Sequence, residues 1–210
     1  MSQGRGQSHD SPHQERYERS HEAILAAASR LIRERGIDGA SVNDVMGAAG
    51  LTRGGFYAHF PDKEHLVAET VGRMFYDAYE KLILQFPETG EAWAARASKF
   101  YLSLGHLRAR DQGCVIPTLG GEIARQSPLV RDAFTKGRRA LLDNIAYKLG
   151  GDDAAQRALF FLSACIGAFT IARAEPDEEE AGAILDTARD ALLHALSPAR
   201  AARTTGRRSA

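Results

Sequence analysis

Hydrophobic side chains recur every three or four residues along most of this sequence, and no stretch alternates hydrophobic and polar residues over the length of a strand. This period is typical of helices that bury one face. The clearest hydrophobic stripes are Trp93, Ala97, Phe100, Leu104 and Leu107; Val130, Phe134, Leu141 and Ile145; and Ala181, Ile184, Leu185, Ala188 and Leu192. The pattern therefore predicts an all-α protein.

Four helices are predicted in the N-terminal part, and each has a start or stop signal. They span about 19–35, 42–49, 52–59 and 63–86. Ser41 and Asp44 form an S-x-x-D capping box for the second helix. Thr52 can cap the third helix and Asp62 the fourth, while Gly50 ends the second. Three short helices are thus followed by one long helix.

The remaining chain is predicted to form longer helices, at about 90–109, 116–125, 128–149, 153–174 and 178–196. Their connections are short, so neighbouring helices should run antiparallel. No linker sequence interrupts the predicted helix 63–86, which places the boundary between two helical units, 16–65 and 66–197, within or next to it. The polar residues 1–15 and the arginine-rich residues 198–210 show no periodicity, and we expect both ends to be disordered.

The segment 41–63 predicts a helix-turn-helix, because two short helices are joined by a turn at Gly50. Helices of this length are not stable alone, so they must pack on the first helix and present a surface. Gly54 and Gly55 would each cost about 1 kcal/mol relative to alanine inside a helix. That cost is explained if a bulky partner such as a DNA duplex approaches the backbone closely. The second helix presents Thr52, Arg53, Gly54, Gly55, Tyr57 and His59.

The start of this second helix also predicts phosphate binding. The Thr52 hydroxyl and the free N–H groups of the first turn would form an anion site at a helix N-terminus. Lys63 opens the following helix and would add a second phosphate contact. The segment is therefore interpreted as a double-stranded DNA contact surface.

From about residue 16 to 67 the sequence resembles the DNA-binding domain of the TetR family of bacterial transcriptional repressors. The resemblance rests on AILAAASRLIRERG, on AAGLTRGGFYAHF and on DKEHL, and the run G-x-x-Y-x-H-F-x-x-K is specific to the family. It implies a three-helix DNA-binding domain over 16–65 and a helical ligand-binding and dimerisation domain over 66–197. It implies phosphate contacts by Ser41, Thr52, Tyr57, His59 and Lys63, and base-edge contacts by Arg53 beside the backbone of Gly54 and Gly55.

One pair of residues departs from the family pattern. The family usually has Ile-Ala where this chain has Val45-Met46. Because Met46 is bulkier than alanine, we expect altered helix packing and leave the preferred operator sequence open, without a change of fold.

The segment 158–172 is apolar on every side, with Ser163 and Thr170 as its only polar side chains. About 15 residues are fewer than the roughly 20 that cross a bilayer, so no membrane partner is predicted. A helix that is apolar all round should be covered all round, by its own core and by the same helix of a second copy. The alternative is a central core helix. The residues predicted for a homodimer interface are Ala164, Gly167, Ala168, Ile184, Leu185, Ala188 and Leu192.

The resemblance also implies an effector pocket between the helices 90–109, 128–149 and 153–174. Each candidate also fits a plain core position, which is the more common role of such residues. Their aromatic and aliphatic character favours a small hydrophobic or aromatic effector. The candidates are Trp93, Phe100, Leu104, Cys114, Phe134, Phe161 and Ser163.

The two cysteines allow one further alternative. Cys114 lies near a predicted helix N-terminus, where a lowered pKa could make the thiol sensitive to oxidants or electrophiles. A buried inert thiol is the competing interpretation, and Cys165 in the apolar helix is interpreted as structural.

Composition narrows the functional classes. The 27 basic and 27 acidic residues balance, so affinity for DNA must come from a few placed donors and not from a basic field. Asp190 and His194 are one helical turn apart but fit an exposed surface pair, and no nucleophile–base pair or metal cluster is apparent, so we predict neither an enzyme nor a cofactor. The sequence thus favours a cytoplasmic, bacterial, ligand-responsive dimeric repressor that is nucleoid-associated when DNA-bound. A helical small-molecule binder without DNA affinity is the alternative, and it predicts that Gly54 and Gly55 tolerate substitution.

Overall fold

The computed structural model describes residues 12–197, and every regular element within that range is a helix. This confirms the prediction of an all-α fold. The α-helices of the described range are α1 (Pro12–Gly39), α2 (Val42–Ala48), α3 (Lys63–Tyr79), α4 (Gly90–Tyr101), α5 (Leu104–Arg108), α6 (Val115–Ile123), α7 (Pro128–Leu149), α8 (Ala154–Ala174) and α9 (Glu178–Leu196). Two 3₁₀ helices, Arg53–Ala58 and Arg110–Gln112, and a π-helical turn, Glu80–Leu84, lie between them.

Helix α1 begins earlier than the sequence predicts. Its first turn, at Pro12, lies inside the segment 1–15 that was expected to be disordered. Proline suits this position because the first turn of a helix has no use for its missing N–H. Residues 1–11 and the predicted basic tail 198–210 lie outside the described residues.

The first helix was predicted to end at about residue 35, and Gly36 does leave helical geometry, but helical structure resumes after it. Gly36 has φ +78°, a left-handed conformation that glycine adopts without strain, and a further turn continues to Gly39. The glycine therefore kinks α1 next to the helix-turn-helix.

Two of the predicted long helices are divided. The predicted helix 63–86 is α-helical only to Tyr79 and continues as the π-helical turn. The predicted helix 90–109 stops at Tyr101, because Leu102 leaves helical geometry and Ser103 caps a new helix, its Oγ accepting from the His106 N–H at 3.2 Å. No glycine or proline lies at this break, so the sequence pattern predicted one continuous helix.

Helix α3 is the central element of the packing. It contacts α1 near its start and lies along α7 for most of its length, and α7 in turn packs against α8. The approach of α3 and α7 is so close at Gly137 that a Cβ there would overlap the Phe75 side chain. Helix α3 therefore connects the N-terminal helices to the rest of the fold.

Helix α8 is longer than its apolar run suggested. It has 21 residues and is long and apolar enough to cross a membrane by length and composition alone, so the sequence argument from a 15-residue run does not hold. In the fold one side of α8 packs against α7 and α9, where Phe161, Cys165 and Phe169 are fully buried. The opposite side remains exposed.

Candidate DNA-binding surface and effector cavity

The first helix of the helix-turn-helix is fixed by the predicted capping box. The Asp44 N–H donates to Ser41 Oγ at 3.1 Å, and the Ser41 N–H donates to Asp44 Oδ2 at 3.2 Å. The Ser41 hydroxyl and then the Ser41 N–H, which both donate to the Asp44 carboxylate, lower the pKa of Asp44. Gly50, at φ +70°, makes the turn that follows, where the Leu51 N–H donates to the Met46 carbonyl at 2.9 Å.

The second element differs from the predicted α-helix. Residues Arg53–Ala58 form a 3₁₀ helix, and the Thr52 side chain makes no capping hydrogen bond, so the prediction of a Thr52 cap is wrong. The turn is closed by the backbone instead, with the Gly55 N–H donating to the Thr52 carbonyl at 3.0 Å. Phe56 and Phe60 are buried and anchor this short element to the core.

The paired glycines have no role in packing within the chain. A Cβ on Gly54 would meet nothing within 4 Å, and one on Gly55 would make an ordinary contact, 3.7 Å from Cε of Met46. Neither glycine has a positive φ. The backbone is therefore open to an outside partner at this point, and Met46, the departure from the family pattern, packs beneath it.

The predicted DNA-contact residues are mostly accessible. Ser41, Thr52, Arg53 and Gly54 are exposed, Tyr57 is 69% exposed, and Gly55, His59 and Lys63 are half-buried. The Ser41 hydroxyl is occupied by its capping box, since it donates to Asp44 Oδ2 at 2.6 Å. A phosphate contact by Ser41 would have to compete with Asp44 for this hydroxyl.

His59 belongs to an aromatic cluster that the sequence did not reveal. Its ring stacks on Tyr17, with centroids 4.5 Å apart, and lies 5.5 Å from the ring of His21. Burial, with a smaller contribution from His21, lowers the pKa of His59. The ring is therefore neutral at pH 7 and can offer DNA a hydrogen bond but no charge. The spacing of Tyr17 and His21, one helical turn apart on α1, is the sequence signal that could have indicated the cluster.

Arg33 of α1 joins the N-terminal helices to the rest of the molecule. Its buried guanidinium donates to the Gly113 carbonyl at 2.9 Å and to Asp77 of α3 at 3.2 Å, and it also contacts the Ser29 hydroxyl. Asp77 is held in turn by Arg73 at 2.8 Å. A single side chain of the N-terminal unit thus fixes both α3 and the loop before α6.

The last turn of α6 makes a second connection to α1. The Glu122 carboxylate accepts a hydrogen bond from the Ile37 N–H at 2.8 Å. It lies so close to Gly36 that a Cβ there would be 2.8 Å from one of its oxygens. Hydrogen bonds therefore connect α1 to α6 near both ends of α6.

A cavity lies between α3, α4 and the loop before α6, and Arg33 forms part of its wall. Two predicted pocket residues, Phe100 and Cys114, line it. The other lining residues are Arg33, Met74, Asp77, Ala78, Lys81, Leu82, Tyr101, His106, Gln112, Gly113, Leu141 and Leu162.

The remaining pocket candidates lie elsewhere. Trp93 and Phe161 are fully buried against each other, with ring centroids 5.1 Å apart, and Phe134 packs on Phe75 at 5.4 Å. Leu104 lies beside Gly182 of α9, and Ser163 is exposed on α8. Aromatic character in the sequence therefore does not distinguish residues of the core from residues of the cavity wall. The polar wall residues Arg33, Asp77 and His106 were missed because they come from distant parts of the chain.

The cavity presents neutral polar groups among apolar ones. Nδ1 of His106 lies 2.8 Å from the Tyr101 carbonyl, so this nitrogen carries the proton. Burial lowers the pKa of His106 and leaves Nε2 as an acceptor at neutral pH. The Tyr101 side chain is buried, and apart from the thiol of Cys114 its hydroxyl has no hydrogen-bond partner in the described part of the chain.

Both cysteines are buried free thiols. Burial raises the pKa of both Cys114 and Cys165. The lowered pKa that a reactive Cys114 would need is therefore absent in this conformation.

The predicted dimer residues divide between the core and the surface. Ala168, Leu185 and Leu192 are buried within the chain, Ala164, Ile184 and Ala188 are half-buried, and Gly167 is exposed. Gly167 lies on an exposed, largely apolar face of α8 whose members recur at helical spacing. These residues are Leu159, Phe160, Ser163, Gly167, Thr170 and Ile171.

Comparison with known proteins finds a family match for the N-terminal part of the chain. Residues 24–70 match the family of bacterial regulatory proteins of the tetR type. The transcriptional repressor BepR of Brucella suis is 38% identical over 64 residues, which cover 30% of this chain and 30% of BepR. The transcriptional repressor NemR of Escherichia coli K12 is 27% identical over 125 residues, or 58% of this chain and 62% of NemR. The chain thus matches less than two thirds of the length of these relatives.

Structural similarity to known regulators covers most of the chain. The reduced form of E. coli NemR superposes with a TM-score of 0.69 over 82% of this chain and 94% of NemR, at 20% identity. A transcriptional regulator of the TetR family from Cytophaga hutchinsonii gives a TM-score of 0.73 over 87% and 97%, at 17% identity. The helix-turn-helix and the matched sequence show that residues 24–70 form a DNA-binding domain of the tetR type, and the chain shares the overall fold of these regulators.

Proposed function

We propose that this protein is a transcriptional repressor that binds a palindromic DNA operator as a homodimer and is released from it by a small effector. The observation that carries the proposal is the open backbone at Gly54 and Gly55, beside a Tyr57 ring that is 69% exposed. An exposed aromatic phenol and a glycine pair with no internal role fit a groove and phosphate contact. The relatives that are named repressors support this function.

The individual contacts follow the family resemblance. Tyr57, Thr52 and Lys63 bind phosphates, and His59 adds a neutral hydrogen bond. Arg53 reads base edges from the exposed start of the 3₁₀ helix. Phosphate contacts set the register of the protein on the duplex, and the arginine supplies sequence preference.

The exposed apolar face of α8 supports a dimer. Covering Leu159, Phe160 and Ile171 by the same face of a second copy would remove them from water. A two-fold axis there would present two helix-turn-helix units to two half-sites of a palindrome. This arrangement would operate in the bacterial cytoplasm.

Effector release would act through α1 and α3. Helix α1 belongs to the DNA-binding unit, and α3 begins in that unit and continues into the second one. Both helices contribute walls to the cavity, through Arg33 of α1 and Met74 and Asp77 of α3. An effector that moves these side chains would tilt α3 and change the spacing of the two DNA-binding units. The effector thereby shifts the population of dimers from conformations that fit the operator to conformations that do not.

Selection of bound duplexes from a fragmented genomic pool tests the proposed function. Purified protein is mixed with the pool at about 100 mM salt, and bound DNA is sequenced. We expect enrichment of a palindrome, and operator release by a small molecule found in a subsequent screen. Absence of any enriched sequence at low and moderate salt, with and without the compound library, would contradict the proposal.

A further inference from the structure

The hydroxyl of Tyr101 is an unusual group for the interior of a protein. Its residue is only 4% exposed, and the hydroxyl makes no hydrogen bond to any described residue apart from the contact with the Cys114 thiol, a weak acceptor. Buried hydroxyls nearly always have a full hydrogen-bond partner, because leaving one without it is unfavourable. Tyr101 lines the cavity, which has a volume of about 30 Å³ in this conformation, so a molecule larger than water must widen the cavity to bring an acceptor to the hydroxyl.

The ring of Tyr101 is held in place by its neighbours. It packs edge-on against Phe169, with centroids 5.4 Å apart, and against His106 at 4.9 Å. The His106 ring is itself fixed by its 2.8 Å hydrogen bond to the Tyr101 carbonyl. The donor is therefore preorganised, which is the condition for a directional contact to a ligand.

The charged groups of the cavity wall do not favour a charged ligand. Arg33 has its guanidinium engaged by Asp77, Gly113 and Ser29, and Asp77 is also engaged by Arg73. His106 is neutral, because burial lowers its pKa. Lys81, which also lines the cavity, is engaged by Gln112, to which it donates at 3.2 Å. Most of the remaining wall is apolar, including Met74, Leu82 and Phe100.

From these contacts we infer that the effector is an uncharged, mainly apolar molecule with a hydrogen-bond acceptor, such as a carbonyl oxygen, that accepts from the Tyr101 hydroxyl. The inference rests on the proposed function in taking this cavity as the effector site. It deepens that function by assigning Tyr101 as the residue that selects acceptor-bearing ligands over their pure hydrocarbon analogues.

Matched pairs of aromatic probes test the inference without knowledge of the natural effector. Acetophenone and benzophenone carry a carbonyl acceptor, and isopropenylbenzene and 1,1-diphenylethylene are their isosteric alkenes. Binding of each probe is measured by ligand-observed NMR on the wild-type protein, on Tyr101→Phe and on Tyr147→Phe. Tyr147 is a matched control because it is 80% exposed and is not among the residues that line the cavity.

We expect the ketones to bind the wild-type protein about tenfold more tightly than the alkenes. The preference should disappear in Tyr101→Phe and persist in Tyr147→Phe. Tyr101→Phe should melt at the same temperature as the wild type or higher, because it removes a buried hydroxyl that lacks a full partner. A merely structural tyrosine would instead lose stability and leave the probe preference unchanged.

Three results would overturn the inference: equal binding of ketones and alkenes, a preference that survives Tyr101→Phe, or no binding of any probe to the wild type. The duplex selection is independent of these results. Enriched operators without ketone preference would overturn only the ligand inference, whereas ketone preference without enriched DNA would overturn only the proposed function.

Discussion

At the scale of single residues, Gly54 shows most clearly how the surface is left open for a partner. No atom lies within 4 Å of the position that its Cβ would occupy, and its φ is not positive. The fold therefore does not require glycine here. What requires it, in the proposed function, is the approach of a DNA backbone or base edge.

Gly54→Leu should consequently separate DNA binding from stability. Operator affinity should fall by at least about tenfold, the equivalent of 1.4 kcal/mol, since the side chain occupies space needed by the duplex. The free energy of unfolding should change by no more than about 0.5 kcal/mol, as for other exposed positions. Fluorescence anisotropy with the selected operator measures the first quantity and urea denaturation the second.

Gly72→Leu is the matched control, because Gly72 of α3 is also exposed with nothing within 4 Å of a Cβ. It should leave operator affinity unchanged. Equal affinity of Gly54→Leu and wild type would contradict close approach of the duplex at Gly54.

Cys114 can be tested for the alternative of electrophile sensing. Because burial raises the pKa of its thiol, little thiolate exists at pH 7 to 8. Alkylation of the native protein by iodoacetamide, followed by mass spectrometry, should be at least about tenfold slower than alkylation of the urea-unfolded chain, and should accelerate as the pH rises. If the native protein were alkylated as fast as the unfolded chain, the result would support electrophile sensing by Cys114.

At the scale of elements, the two hydrogen-bonded connections between α1 and α6 explain how the cavity can influence the helix-turn-helix. Arg33 contacts Gly113 before α6, and Glu122 in its last turn contacts Ile37 beyond the kink of α1. A displacement of α6 must move α1 or break one of these bonds. In the proposed function, these bonds give the effector signal a short route from the cavity to the helix-turn-helix.

Glu122→Ala should weaken this route. Loss of a hydrogen bond to a carboxylate should lower the free energy of unfolding by about 1.5–3 kcal/mol and raise hydrogen exchange at the end of α1. We further expect a higher effector concentration for half-release of the operator, with operator affinity itself nearly unchanged. Glu122→Gln keeps an acceptor oxygen and should recover much of the wild-type response. An unchanged response in Glu122→Ala would contradict coupling through α6.

Element types could be read from the sequence because each helix buries a regular stripe and because most ends carry local signals. The capping box of Ser41 and Asp44 and the Asp62 cap, which accepts from the His65 N–H at 2.9 Å, depend on neighbours three residues away. The break at Leu102 and the 3₁₀ geometry after Thr52 depend on tertiary packing, which no local spacing reveals. The same limit explains why Arg33 and His106 were missed as cavity residues.

At the scale of the whole molecule, the proposed homodimer places the exposed apolar face of α8 between the two copies. Gly167 lies within that face and has open space around its Cβ position, so a larger side chain does not disturb the fold of one chain. Gly167→Arg should place a charge in the interface. By light scattering we expect a mass near 22.8 kDa for the variant and twice that for the wild type.

Gly120→Arg, at an α6 position where a Cβ also meets nothing within 4 Å, is the control and should remain dimeric. A Gly167→Arg variant that stays dimeric at the same concentration would place the interface elsewhere. Loss of the dimer should also weaken operator binding, because one half-site then supplies all of the affinity.

The most direct test of the central claim is the operator affinity of Tyr57→Ala against that of Tyr147→Ala. Both tyrosines are largely exposed, at 69% and 80%, so neither change should alter folding, but only Tyr57 lies on the proposed DNA surface. We predict that Tyr57→Ala lowers affinity by about tenfold or more while Tyr147→Ala and both melting temperatures stay unchanged. Equal affinities of Tyr57→Ala and wild type would contradict DNA binding through this surface.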